Sequence, residues 1–281
     1  MTTRKRLEGR TILMSGGSRG IGLAIAIAAA REGANVALLA KTDTPDPRLP
    51  GTIHTAAADI EAAGGQALPI VGDVRDETSV ESAVAATVER FGGIDIVINN
   101  ASAINLAKTT ELPVKRFDLM MSIEHRGTFL LTSKALPHLV KGTNPHILTL
   151  SPPLNMKPKW LAAHPGYTLA KYGMSLLGLC WAEEYRAEGV ASNTLWPETL
   201  IATAAVQNLL GGDAAMEKSR KPEIMGDAAV EVLVQNSRSC TGNSFIDVDV
   251  LRSAGITDLT PYGGNGELEY DVYVDPPTER A

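Results

Sequence analysis

The stretch "TILMSGGSRGIGLAIAIAAAREGANVALLA", residues 11–40, decides the fold. An apolar run (11–15) passes into a glycine-rich turn, a helix-length segment of small and apolar residues follows, Gly33 ends it, and a second apolar run begins at Asn35. Strand, crossover helix and strand in that order make a βαβ unit. The glycines at 16, 20 and 22 permit a sharp turn and let backbone N–H groups and a helix N-terminus approach a pyrophosphate. Such a turn is weak evidence alone, but between a strand and a helix it sits in the context that the motif requires.

Working outward, the alternation of apolar runs and helix-length segments continues, with further strands expected at 67–72, 94–100, 146–151, 191–196 and 243–249. Near-continuous apolar strands are those buried on both faces. The expected fold is therefore α/β: a single doubly wound Rossmann-type domain, 1–281, around a seven-stranded parallel sheet. Two stretches break the rhythm, a proline-rich insertion at 41–52 and a tail from about Gly263. Composition leaves the tail open between disorder and packing on a neighbouring subunit. The apolar spots and glycines of 198–226 suggest a helical substrate lid.

A net charge of -6 with no basic block argues against a nucleic-acid partner. Two cysteines, Cys180 and Cys240, are too few for a disulfide framework and lack metal-ligand spacing. The basic start "MTTRKRLEGR" precedes no apolar stretch of a signal peptide. No run reaches the length of a membrane span. The expectation is a protein of the reducing cytoplasm with no membrane span and no metal.

The end of the second strand lies beside the adenosine ribose of a bound dinucleotide, where a carboxylate holds the 2′-hydroxyl and repels a 2′-phosphate. Here the positions are Ala40 and Lys41, and Arg19 in the glycine loop reaches the same side. Two cations and no carboxylate favour NADP(H); the alternative is that both are solvated surface charges. Further along, Tyr167 and Lys171 stand four apart and share a helix face. A free phenol has a pKa near ~10, too high for a base at neutral pH, so the expectation is that the Lys171 charge favours the phenolate. The pair by itself is common on helices.

Taken with "NNAS" (99–102) and "YTLAK" (167–171), the glycine loop resembles the short-chain dehydrogenase/reductases over roughly residues 8–250, and "RGTFLLTSKALPHL", "ILTLSPPLN" and "LWPETLIATAA" resemble most their hydroxysteroid dehydrogenase-like 2 branch and its bacterial relatives. The resemblance implies an oxidoreductase in which Tyr167 is the acid/base, Lys171 lowers its pKa and holds the nicotinamide ribose, and Ser151 is a provisional donor to the substrate oxygen. It implies cofactor contacts at Gly16, Ser18, Arg19, Gly20, Ile21 and Gly22 in the loop, and at Lys41, Asp73, Val74, Asn100, Ala101 and Ser102 towards the adenosine. Pro197, Thr199, Leu200 and Thr203 would lie at the nicotinamide. Leu154, Trp160 and His164 would border an apolar substrate, and a homotetramer or homodimer is implied.

Two positions depart from the family pattern. The strand-end pair where a serine is usual second is Ser151–Pro152, and proline brings neither hydroxyl nor N–H. Glu124 stands where asparagine is usual; it either lies buried beside Lys171 or His125, or points into solvent. These departures keep two alternatives beside a carbonyl/alcohol oxidoreductase: a catalytically silent NADP(H)-binding sensor or scaffold, and an enoyl thioester C=C reductase on the same fold.

Overall fold

Every other residue of the strands faces one helical layer and the residues between face the other, because side chains alternate along a strand. Ile12, Met14, Val36, Leu38, Ile96 and Ile98 pack into one core cluster, and Leu13, Ala37, Leu39 and Val97 into a second on the opposite face. The computed structural model describes residues 5–46, 51–209, 211–264, 266–276 and 278. Residues 47–50 of the expected insertion and 265, 277 and 279–281 of the expected tail lie outside the described residues.

In chain order, β1 (Thr11–Ser15), α1 (Gly20–Arg31), β2 (Asn35–Ala40), α2 (Ile53–Ala62), β3 (Gln66–Val71), α3 (Glu77–Phe91) and β4 (Ile96–Asn99) form the first half. The second half holds α4 (Val114–Met121), a π-helical turn (Ser122–Gly127), α5 (Thr128–Leu139), β5 (His146–Thr149), α6 (Pro158–Ala163), α7 (Pro165–Glu184) and β6 (Ala191–Trp196). Beyond it come α8 (Ala204–Leu209), α9 (Gly212–Glu217), α10 (Glu223–Leu233), β7 (Ser244–Ile246), α11 (Asp247–Ser253) and a 3₁₀ turn (Thr260–Tyr262). The seven strands pair in parallel in the order β3-β2-β1-β4-β5-β6-β7. Chain order reverses between β1 and β4, and the crevice at such a switch point is where α/β sheets bind ligands.

Local signals set the element ends. Thr52 and Thr55 close a reciprocal capping box on α2, and Asp76 caps α3 by accepting from the Ser79 N–H. Gly33, Gly64 and Gly92 adopt positive φ just beyond α1, α2 and α3, as glycine readily does. The helix α10 begins at Glu223 with Ile224, Met225 and Gly226 buried, so the last residues of the expected lid belong to the outer helical layer. A Cβ on Gly226 would stand 2.7 Å from the Ala24 carbonyl, which is how α1 and α10 approach so closely. Among the described residues no helix is long and apolar enough to cross a membrane.

The tail departs from both expectations. Residues 266–276 run back across this chain's own sheet end, and Tyr273, only 1% exposed, lies at the centre of an aromatic cluster. Its ring centroid is 6.0 Å from that of Trp160, 6.4 Å from Tyr167, 5.1 Å from Tyr172 and 6.5 Å from Trp196. Aromatic rings at such distances attract beyond the apolar area they bury.

Candidate active site

The glycine loop is tied to the end of β4 by polar contacts. Ser15 Oγ accepts from the Asn100 and Ala101 N–H groups (3.2 and 3.1 Å), and Asn100 Nδ2 donates to the Gly16 carbonyl (2.7 Å). Gly16 sits at φ +76°, and a Cβ there would come within 2.9 Å of Ala101 Cα. A Cβ on Gly22 would lie 2.6 Å from the Gly16 carbonyl. The loop can have this shape only with glycine at both places. It leads into α1, whose first turn no side chain caps, so backbone N–H groups there face a cleft of about 890 Å³.

That cleft brings together Gly16, Ser18, Arg19, Gly20, Ile21 and Gly22 with Lys41, Asp73 and Val74, and with Asn100, Ala101 and Ser102. At the end of the cleft expected to face the adenosine, Lys41 Nζ stands 3.6 Å from Asp73 Oδ2, and Arg75 grips the same carboxylate with Nη2 at 2.6 Å. The Arg75 hydrogen bonds, outweighing burial and aided by Lys41, hold the Asp73 carboxyl down to about 2. Arg19 Nη2 donates to the Gly51 carbonyl (2.7 Å). A glycine cradle that a Cβ would fill, an uncapped helix start and flanking cations fit a nicotinamide dinucleotide.

A second cavity of about 330 Å³ adjoins the cleft and shares Ile21, Asn100, Ser102, Ile104, Thr203 and Ala205 with it. Tyr167, Lys171 and His164 line it, as do Pro197 and Leu200 from the expected nicotinamide segment. Thr199 is buried instead and pairs with Tyr270 in an antiparallel bridge. The turn at Pro197–Thr199 is held by Asp247, wholly buried, whose Oδ1 accepts from the Glu198 and Val248 N–H groups at 2.8 Å each. Burial pushes that carboxyl up to about 7. Most of the remaining wall is apolar: Ile104, Leu106, Leu150, Trp196, Ile201 and Val206.

Lys171 has partners of its own beside Tyr167. Its ammonium, 3% exposed, donates to the Leu150 carbonyl (3.1 Å), lies 3.7 Å from Glu124 Oε1 and sits over the Trp196 ring. Burial lowers the Lys171 pKa, with Glu124 and Asp271 pulling it back up. The Tyr167 phenol is instead raised well above its ordinary value, first by burial and then by the negative groups Glu124 and Asp271. The physical reason is first that the phenol is buried, where a phenolate would lose its hydration, and then that the nearby carboxylates disfavour a second negative charge. At neutral pH the phenol carries its proton.

Glu124 is wholly buried, not in solvent, because the π-helical turn after α4 carries it inward. Its Oε1 accepts from Ser102 Oγ (2.7 Å), and its Oε2 has no partner among the described residues. His125 turns the other way, donating from Nε2 to the Leu169 carbonyl (3.0 Å). Burial raises the Glu124 pKa, opposed by Lys171 and Ser102.

Ser151 is wholly buried and lines neither cavity; its hydroxyl has no partner among the described residues. Pro152 is fixed beside it by Ser175 Oγ, which donates to the Pro152 carbonyl (2.6 Å). Leu154 and Trp160 also stand back from the cavity and pack into the Tyr273 cluster. His164 does reach the wall, with Nδ1 donating to the Leu106 carbonyl (2.6 Å).

Glu269, Tyr270, Asp271 and Val272 are cavity residues that the sequence did not point to. They are placed by backbone bonds across the chain: Leu200 N–H to the Glu269 carbonyl (2.9 Å) and Asp271 N–H to the Glu198 carbonyl (3.0 Å), with Trp196 Nε1 donating to the Val272 carbonyl (3.0 Å). Asp275 anchors the far end, accepting from Asn155 Nδ2 (2.8 Å) and Trp160 Nε1 (3.1 Å) and pairing with Lys157 (2.9 Å) and Lys159 (2.7 Å). The aromatic and apolar residues within "YDVYVD" were the one available signal.

The family model described as short chain dehydrogenase matches residues 10–212. Hydroxysteroid dehydrogenase-like protein 2 of Danio rerio is 54% identical over 257 residues, which is 92% of this chain and 61% of that protein. The chain thus spans about three fifths of the length of that curated relative. A short chain dehydrogenase of Mycobacterium thermoresistibile superposes with a TM-score of 0.91 at 58% identity, covering 98% of this chain and 99% of that one. A putative dehydrogenase of Xanthomonas campestris gives 0.92 at 53% identity over 96% and 99% of the two chains.

Proposed function

This chain belongs to the short-chain dehydrogenase family of oxidoreductases, and from that premise we propose that it is an NADP(H)-dependent enzyme interconverting a carbonyl and an alcohol on a hydrophobic small molecule. The observation that carries this reading is that Tyr167 and Lys171 share a largely apolar cavity continuous with the glycine cradle. A bound nicotinamide supplies or accepts hydride. The protein's part is to hold and exclude water from the reacting carbon and to move one proton at the Tyr167 hydroxyl. With its pKa raised, that hydroxyl is stocked as a donor to a carbonyl oxygen. Lys171, fixed by Leu150 and Glu124, would present its ammonium to the nicotinamide ribose. Lys41 and Arg19, with no carboxylate at the end of β2, favour a 2′-phosphate. Half-exposed Leu169 and Leu176 on α7 and Phe129 on α5 favour a face shared with a second copy of the chain.

One observation favours a second reading, a silent NADP(H) sensor: the Ser151 hydroxyl stays outside the cavity. Fluorescence titration with NADPH and NADH, followed by apolar aldehydes and ketones, separates the two. The expected result is tighter NADPH binding and turnover of one carbonyl class, with Tyr167→Phe abolishing turnover while leaving nucleotide binding intact. Nucleotide binding with no turnover of any carbonyl selects the sensor, and binding of neither nucleotide refutes both.

A further inference from the structure

We propose that Asp271, delivered by the C-terminal tail, is a catalytic residue that donates a hydrogen bond from its carboxylic acid to the reacting oxygen of the substrate. This rests on the oxidoreductase reading above and fills the place that a serine hydroxyl would hold. That place is vacant here, since Ser151 Oγ lies off the cavity and Pro152 follows it.

Four of the other polar side chains on the wall already donate elsewhere, while Thr203, Glu269 and Tyr270 line it as well. Ser102 Oγ donates to Glu124, His164 Nδ1 to the Leu106 carbonyl, Asn100 Nδ2 to the Gly16 carbonyl, and Lys171 Nζ to the Leu150 carbonyl. Asp271 lines the same cavity as Tyr167 and Lys171. Its backbone is pinned to the Glu198 carbonyl on one side, and on the other by the Val272 carbonyl that Trp196 Nε1 holds and by the buried Tyr273 ring. A loosely held tail could not position a donor; one tied at 269, 271, 272, 273 and 275 can.

The protonation state follows from the surroundings. Burial, together with the negative Asp247 and against Lys171 and the Val272 and Trp196 hydrogen bonds, pushes the carboxyl up to about 8. Glu269 shares the cavity wall, and Tyr167 and Lys171 face it across the space. At neutral pH the group is therefore mainly the neutral acid, a donor, as are other carboxylic acids kept protonated by apolar surroundings. In the reductive direction a bound nicotinamide would supply hydride to the carbonyl carbon, while Tyr167 gives its hydroxyl proton to the oxygen and regains one from solvent. Asp271 keeps its own proton throughout, sharing it most strongly when the oxygen carries most negative charge.

Two measurements test this on the full chain. In the free protein, the Asp271 carboxyl carbon, assigned by its loss in Asp271→Asn, is titrated by NMR. A midpoint near 8 is expected; a carboxylate ionised from pH 5 upward overturns the proposal without reference to any substrate. In carbonyl reduction with the ketone or aldehyde that the wild type turns over, Asp271→Ala should lower kcat by about 100- to 1000-fold, the loss of one such donor, with NADPH binding unchanged. Asp271→Asn keeps shape and an N–H donor, so it should recover most of kcat and lose the decline of wild-type kcat above pH 8. Unaltered kcat in Asp271→Ala overturns the proposal while the oxidoreductase reading stands. Absence of turnover in the wild type itself sinks both.

Discussion

Replacing Tyr273 by alanine should detach the tail from the cavity that holds Tyr167 and Lys171 without unfolding the domain. The ring is 1% exposed and meets four other aromatic rings, and its hydroxyl lies 3.1 Å from Thr168 Oγ1. Truncating a buried aromatic side chain to alanine costs about 3–5 kcal/mol. The described part of the tail is tied to the body mainly by a few backbone bonds and the Asp275 contacts, so most of that loss falls on docking and not on global stability. At about 1.4 kcal/mol per factor of ten, the undocked population rises roughly 100- to 3000-fold. Amide hydrogen exchange reads this directly at Leu200 and Asp271, whose N–H groups bond across the tail contact, while the amides of β4 and β5 should be unaffected. Tyr273→Phe removes only the Thr168 bond, about 1 kcal/mol, and should raise exchange about fivefold. Tyr273 is also the one described non-glycine residue with positive φ, 71°, so Tyr273→Gly should fall short of Tyr273→Ala by about 1 kcal/mol. Unchanged exchange at Leu200 and Asp271 in the alanine variant would refute the reasoning and leave the Asp275 clamp as the element that holds the tail.

The buried pair and the cofactor preference give further tests. Glu124→Ala strips Lys171 of the anion 3.7 Å away and should lower the free energy of unfolding by about 3–5 kcal/mol in denaturant titration, as does uncovering a buried charge. Glu124→Gln keeps the shape, removes a group that holds the Lys171 pKa up, and should shift the ammonium titration seen by side-chain ¹⁵N NMR to lower pH; an upward shift contradicts the pairing. Lys41→Asp puts a carboxylate at the end of β2, and should weaken NADPH binding at least about tenfold while sparing NADH, because a 2′-phosphate is repelled and a 2′-hydroxyl accepted; equal losses for both nucleotides would show that Lys41 has no part in the preference.

The glycine loop and the strands were legible in the sequence because their signals are local. Expected strands at 11–15, 35–40 and 191–196 coincide with β1, β2 and β6, those at 67–72, 94–100 and 146–151 differ at their ends, and of 243–249 only 244–246 is strand because Asp247–Asp249 open α11. The Tyr167 and Lys171 spacing foretold one shared cavity but misjudged its electrostatics, since what surrounds the ammonium comes from residues 124 and 150. The environment of Glu124 could not be settled from its neighbours, because it depends on the π-helical turn and on Ser102 across the site.

By itself, the sequence determined the parallel sheet and the phosphate-binding loop, since hydrophobic period and glycine placement act over a few neighbouring residues. Only the tertiary structure decided what completes the cavity around Tyr167 and Lys171. Asp271 and Tyr273 lie far along the chain from Tyr167, and they reach it because a buried aromatic cluster and the Asp275 ion pairs hold the tail there. Such contacts leave no periodic trace in a sequence: their energy comes from the meeting of segments, not from the pattern within one.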